Sequence, residues 1–141
     1  MKKIKKLLKP YYLFSFFIPF FILFLTYFIN GIYWKSDTSP LLGDGFHQYV
    51  IFDVTLRNIL HGSDSIFYTF TSGLGLNFYA LSSYYLGSFL SPLVYFFNLK
   101  NMPDAVYLFT LIKFGLMGLT CFISIKGIFK KISPYLILIL S

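Results

Sequence analysis

Residues 11–33, YYLFSFFIPFFILFLTYFINGIY, form an unbroken run of apolar and neutral side chains. The run exceeds the roughly 20 residues a helix needs to cross a hydrocarbon core, so it predicts a transmembrane helix. Pro19 inside it removes a backbone donor and predicts a kink, while Tyr33, Trp34 and Lys35 suit the far interface. The pattern then changes. Across residues 44–61 the apolar positions Tyr49, Phe52, Leu56, Ile59 and Leu60 recur at helical spacing, with Asp44, Gln48, Thr55 and Asn58 opposite them. That predicts an amphipathic helix lying along the membrane with its polar side upward. The stretch that follows, HGSDSIFYTFTSGLGLNFYA, mixes three glycines with several hydroxyl side chains and reads as a loop.

Three more apolar segments complete the chain. Residues 104–126 predict a second transmembrane helix, interrupted by Lys113, and residues 132–141 the start of a further one. Residues 78–99 are long enough to span, but their Ser and Gly content and Pro92 weaken the pattern, so they read either as a transmembrane or as a re-entrant segment.

Charge orients this layout. The chain of 141 residues is 57% hydrophobic and 12% charged, too apolar for an ordinary soluble domain, and its net charge is +7. Much of that excess is Lys2, Lys3, Lys5, Lys6 and Lys9, directly before the first apolar run. A basic segment in that position marks the cytoplasmic side, so residues 1–10 are expected inside and 34–77 outside. Nucleic-acid binding is the poorer account of the same lysines. The apolar run is longer than the ~7–15 residues of a signal peptide and lacks a small-residue cleavage site, which favours an uncleaved anchor. A full crossing at 78–99 would carry Lys126, Lys130 and Lys131 outside; a re-entrant segment keeps them inside and is preferred.

Residues 34–77 also gather the rare chemistry: four of the five Asp, both His and the single Arg. The stretch LLGDGFHQYV places Asp44, His47, Gln48 and Tyr49 within six positions. Asp44, flanked by Gly43 and Gly45, fits a helix N-cap as well as a reactive carboxylate. His47 and Gln48 lie one helical turn from it, and Gln48 and Tyr49 also suit a headgroup anchor. Asp53 and Arg57 stand four apart, the spacing of a surface ion pair. Lys113 either faces a phosphate within the protein or sits near an interface. The single cysteine, Cys121, lies in an apolar run and builds neither a disulfide framework nor a cysteine metal site.

The order of GDGFHQYVIF at 43–52, SIFYTFTSGLGLNF at 65–78, YYLGSFLSPL at 84–93 and LIKFGLMGLT at 111–120 resembles the amino-terminal part of YfhO-type bacterial membrane proteins. That family is longer and has many spans, so the chain looks like an amino-terminal fragment or truncated product. The family is in turn similar to the GT-C class of polytopic glycosyltransferases. The resemblance implies an all-α integral membrane fold of GT-C-like transmembrane helices with an external juxtamembrane amphipathic helix, multi-pass in the bacterial cell membrane.

It also implies transfer of a sugar from a polyprenyl-phosphate donor to a cell-envelope polymer, such as a teichoic acid, on the outer face. In the class an acidic residue of the first external loop serves the chemistry, and Asp44 matches that position. His47, Gln48, Tyr49 and Lys113 become candidate substrate-binding residues, His47 toward the leaving phosphate and Gln48 toward a sugar or acceptor hydroxyl. The implied partners are the lipid-linked sugar, the polymer acceptor and membrane lipids, without nucleic acid. Asp44 and His47 supply two ligands for a divalent cation, and cation dependence varies within the class. A non-enzymatic membrane subunit or an inactive truncated remnant is the alternative expectation.

Overall fold

The computed structural model describes residues 10–129 and 132–141. The basic segment expected at 1–10, apart from Pro10, lies outside the described residues, as do Lys130 and Lys131. Every regular element among the described residues is helical: α1 (Pro10–Ile29), α2 (Val50–Leu60), α3 (Phe78–Tyr85), α4 (Met102–Ile128) and α5 (Pro134–Leu140). Short 3-10 helices cover Ser91–Phe96 and Leu99–Asn101, and a π-helical turn, Gly45–Tyr49, leads into α2. The chain divides into two compact units, one of Met1–Gly31 and Thr110–Ser141, the other of Ile32–Phe109.

In the first unit α1 and the larger part of α4 run antiparallel. Tyr12 meets Phe122 edge to face at 5.2 Å. One turn on, a Cβ at Gly118 would strike the Ser15 carbonyl oxygen and come within 2.5 Å of Pro19 Cγ, and at Gly115 it would come within 2.7 Å of the Phe16 ring. Glycine at both positions is therefore what lets the backbones approach, the usual device where lipid supplies no hydrophobic drive for association. Pro19 lacks the N–H that would bond the Ser15 carbonyl, and that carbonyl is the group facing Gly118. At the end of the pair, Lys126 Nζ lies 5.8, 5.2 and 5.3 Å from the ring centres of Tyr11, Tyr12 and Phe122, in cation–π range. The start of α1 and the end of α4 thus share one side, where the sequence concentrates lysines. Tyr11 also packs on Tyr135 of α5.

Pro10–Ile29 and Leu99–Ile128 are long and apolar enough to cross a membrane. Only 6% of the core stretch of α1 is buried, with Phe14, Phe17, Ile18, Phe21, Ile22 and Leu25 exposed along one face. So apolar a surface is stable against lipid, not water.

In the second unit α2 packs on the helix Ser91–Phe96, and Phe52, Phe78 and Leu86 form a core joined by Leu56, Ile59, Leu81 and Tyr85. The apolar side of α2, expected to lie on the membrane, is covered by protein at Phe52, Leu56 and Ile59, while Tyr49 and Leu60 stay exposed. On its other side Thr55 is 1% exposed, its hydroxyl lying 3.1 Å from that of Thr71 in the following loop. Residues 78–99 are not one helix. Asn77 caps α3 by accepting from Tyr79 N and Ala80 N, and α3 stops after eight residues, well short of a membrane span. Arg57 Nε donates to the Phe97 carbonyl at 2.7 Å, and His61 stacks on Tyr95 at 4.4 Å, fixing the broken segment to α2. Trp34 and Phe109 both pack on Phe97, and Asp104 accepts from the Lys35 backbone at 2.8 Å.

Candidate functional site

The stretch Gly43–Tyr49 is shaped by its first glycine. Gly43 has φ +52, the left-handed region that other residues avoid, and its carbonyl accepts from Phe46 N and His47 N. The chain turns there and enters the π-helical turn, closed by Val50 N donating to Gly45 O. Such wide turns interrupt α-helices mostly where side chains have to be re-aimed.

Asp44 already has helical backbone angles, φ −61 and ψ −28, and its side chain makes no capping bond. The N-cap role that fits its position in the sequence is therefore not the one it has. Its carboxylate is exposed and accepts from Gln48 Nε2 at 3.3 Å. His47 is exposed, its ring edge to face with Phe46 at 5.4 Å. Tyr49 meets Tyr85 edge to face at 5.4 Å, and Tyr85 in turn lies 4.9 Å from Phe52 and 4.7 Å from Tyr84. Burial, then the neighbouring Tyr84, Tyr49 and Asp44, raise the Tyr85 phenol above its ordinary value.

Of the five residues singled out in the sequence, the structure thus gathers Asp44, His47, Gln48 and Tyr49 on one turn. Lys113 belongs to the other unit, exposed in the middle of α4. Tyr85 was not singled out. Its signal was the paired tyrosine opening YYLGSFLSPL, but only the packing of α3 beneath Tyr49 brings it to the site. Among the described residues no group of three or more His, Cys, Asp or Glu converges as a metal site. The arrangement offers an exposed carboxylate beside an amide, an imidazole and a phenol, suited to binding and deprotonating a hydroxyl.

No curated protein and no solved structure matches the chain. One family model does match, over residues 15–141, and it takes in the apolar α1, the Gly43–Tyr49 turn and α4 alike. The chain, with its two membrane-length helices and the polar unit between them, belongs to the family described as bacterial membrane protein YfhO.

Proposed function

We propose that this membrane protein takes part in glycosyl transfer from a polyprenyl-phosphate-linked sugar to a cell-envelope polymer such as a teichoic acid, at the outer face of the membrane. The reading rests on one observation: the Asp44 carboxylate is exposed, free of any capping role, and held by Gln48 alone among the described residues. A carboxylate so placed takes the proton of an acceptor hydroxyl as that oxygen attacks the anomeric carbon and the bond to the donor phosphate breaks. Gln48 orients the carboxylate, His47 meets the leaving phosphate, and Tyr49 lines the sugar.

The topology that serves this reading is multi-pass. The lysine-rich ends of α1 and α4 face the cytoplasm and residues 34–77 lie outside. The antiparallel packing of α1 and α4 supports it, since Lys126 then sits on the same side as the lysines before α1.

Asp44→Asn, made in the gene's own chromosomal context, tests the chemistry, because it keeps size and removes the base. Glycosylation of the envelope polymer should fall about a hundredfold or more with membrane abundance unchanged. Asp53→Asn should lower it far less. Equal, modest losses at both positions would reduce Asp44 to a structural residue.

A further inference from the structure

The end of the helical pair where α1 begins and α4 finishes gathers a cationic and aromatic cluster. Phe122 is fully buried there, with Tyr11, Tyr12 and the Lys126 ammonium around it. α5 packs on α1 at the same place and adds Tyr135, exposed and edge to face with Tyr11 at 5.3 Å. The rings give the ammonium π faces, but an ammonium also carries three N–H donors that call for oxygen.

No acidic side chain of this unit can supply that oxygen. Residues 1–31 and 110–141 contain nine of the chain's eleven lysines and neither Asp nor Glu. Asp104, the acid next along α4, stands about 33 Å of helix away from Lys126. Lys113 apart, the nine all neighbour this end in sequence: five precede α1, Lys126 is in the last turn of α4, and Lys130 and Lys131 follow it. Like charges so gathered repel one another unless an outside anion offsets them.

A second feature says which kind of anion fits. From Pro10, at this same end, a groove of about 600 Å3 runs down α1 past Leu13, Phe14, Phe17 and Phe21 to Leu25, lined by apolar side chains only. Its length along the helix, about 22 Å, exceeds the ~15 Å depth of one leaflet's hydrocarbon. Tyr11 lies one turn above Phe14, so the polar cluster crowns the groove.

We propose that the cluster and groove together seat an anionic phospholipid. Lys126 donates to a non-bridging oxygen of the phosphate, the tyrosine hydroxyls offer further donors, and one acyl chain lies in the groove. The surrounding lysines favour a headgroup of net negative charge over a zwitterionic one. With Lys126 already over the rings, the cage is closed to a choline headgroup. The inference rests on the packing of this unit, apart from the chemistry at Asp44.

Native mass spectrometry tests it, on the full chain released from nanodiscs of equal parts phosphatidylglycerol and phosphatidylcholine. Phosphatidylglycerol should be retained over phosphatidylcholine about fivefold or more. Lys126→Gln, which keeps most of the stem, should cut that preference about fivefold, and Lys126→Arg, which keeps the charge, should hold it within about twofold. Lys100→Gln, in the other unit, should leave it unchanged, and excess glycerol 3-phosphate, a headgroup without chains, should not displace the lipid. Equal retention of the two lipids by the unaltered chain overturns the idea, as does a preference for phosphatidylcholine. It falls too if Lys126→Gln keeps the full preference or Lys100→Gln loses as much, since diffuse charge would then be responsible. Displacement by glycerol 3-phosphate would make the cluster a site for soluble phosphates and reject the lipid.

Discussion

The two units draw on the same aromatic and aliphatic side chains but dispose of them in opposite ways. In the helical pair, α1 turns Phe14, Phe17 and Phe21 outward and buries Ser15, its one fully covered residue, against glycine. In the unit of residues 32–109, Phe52 and Phe78 go inside, while Asp44, His47 and Asp64 stay outside. The first is organised as matter dissolved in lipid, where shape decides packing; the second closes a small apolar core of its own, where hydrophobic burial decides it. Hydropathy alone does not separate them. What separates them is where the hydroxyls and amides along the helices find partners: in the first unit Ser15, Thr26, Asn30 and Thr120 bond carbonyls three or four residues back, whereas the second adds caps, turns and side-chain bonds such as Arg57 to Phe97.

The sharpest way to break the comparison is to ask which side of the membrane each unit's landmarks face. In a Cys121→Ser background, cysteines at Ser39 and Ser63 should react fully with an impermeant reagent in intact cells, and one at Gly127 only after lysis. Labelling of all three from outside would remove the distinction and the enzyme reading with it.

A smaller effect sharpens the contrast between shape and burial. Gly118→Val adds only apolar volume, yet it should destabilise the α1–α4 pair by about 1–3 kcal/mol, read as a lower Tm in detergent. Met117→Ala, one residue away and 61% exposed, should stay within about 0.5 kcal/mol. Equal losses would mean that the glycine contact is incidental.

The smallest expected effect belongs to the polar unit. The Tyr85 phenol is raised in the folded protein, so its neutral form is the one the fold favours. Its contribution is full below the ordinary phenol value of about 10 and is lost as pH rises through the raised folded value. Absorbance titration of phenolate should therefore show Tyr85 ionising late, and Tyr85→Phe should remove that late step. An unchanged titration would detach Tyr85 from the Asp44 and Tyr49 cluster.

The apolar helices were legible because length and absence of charge suffice to mark them: the run 11–33 contains Pro10–Ile29 but for its first residue, and 104–126 falls within Met102–Ile128. The grouping of Asp44, His47, Gln48 and Tyr49 was legible because it is local, a matter of one turn. Thr55 was misplaced on an open polar side because its cover, Thr71, comes from a loop whose path no periodicity encodes. The ends of α3 depend on Asn77 and on packing against Phe52, and the Tyr85 contact on both. Contacts between distant stretches of chain, not propensity, account for each of these.

The length of α4 has a consequence for its lone interior charge. Its 27 residues span about 40 Å, whereas a hydrocarbon core is about 30 Å thick. Lys126, held among Tyr11, Tyr12 and Phe122, anchors one end at the headgroups, so the mismatch accumulates at the other and the hydrocarbon ends about 20 residues back, near Val106. That leaves Lys113 roughly 10 Å inside the opposite leaflet, nearer the bilayer midplane than that leaflet's boundary. Side chains on a helix lean toward its amino terminus, which for α4 is that same boundary. A charge at that depth is costly in lipid, and the lean shortens the path along which the long Lys113 stem carries its ammonium toward that boundary.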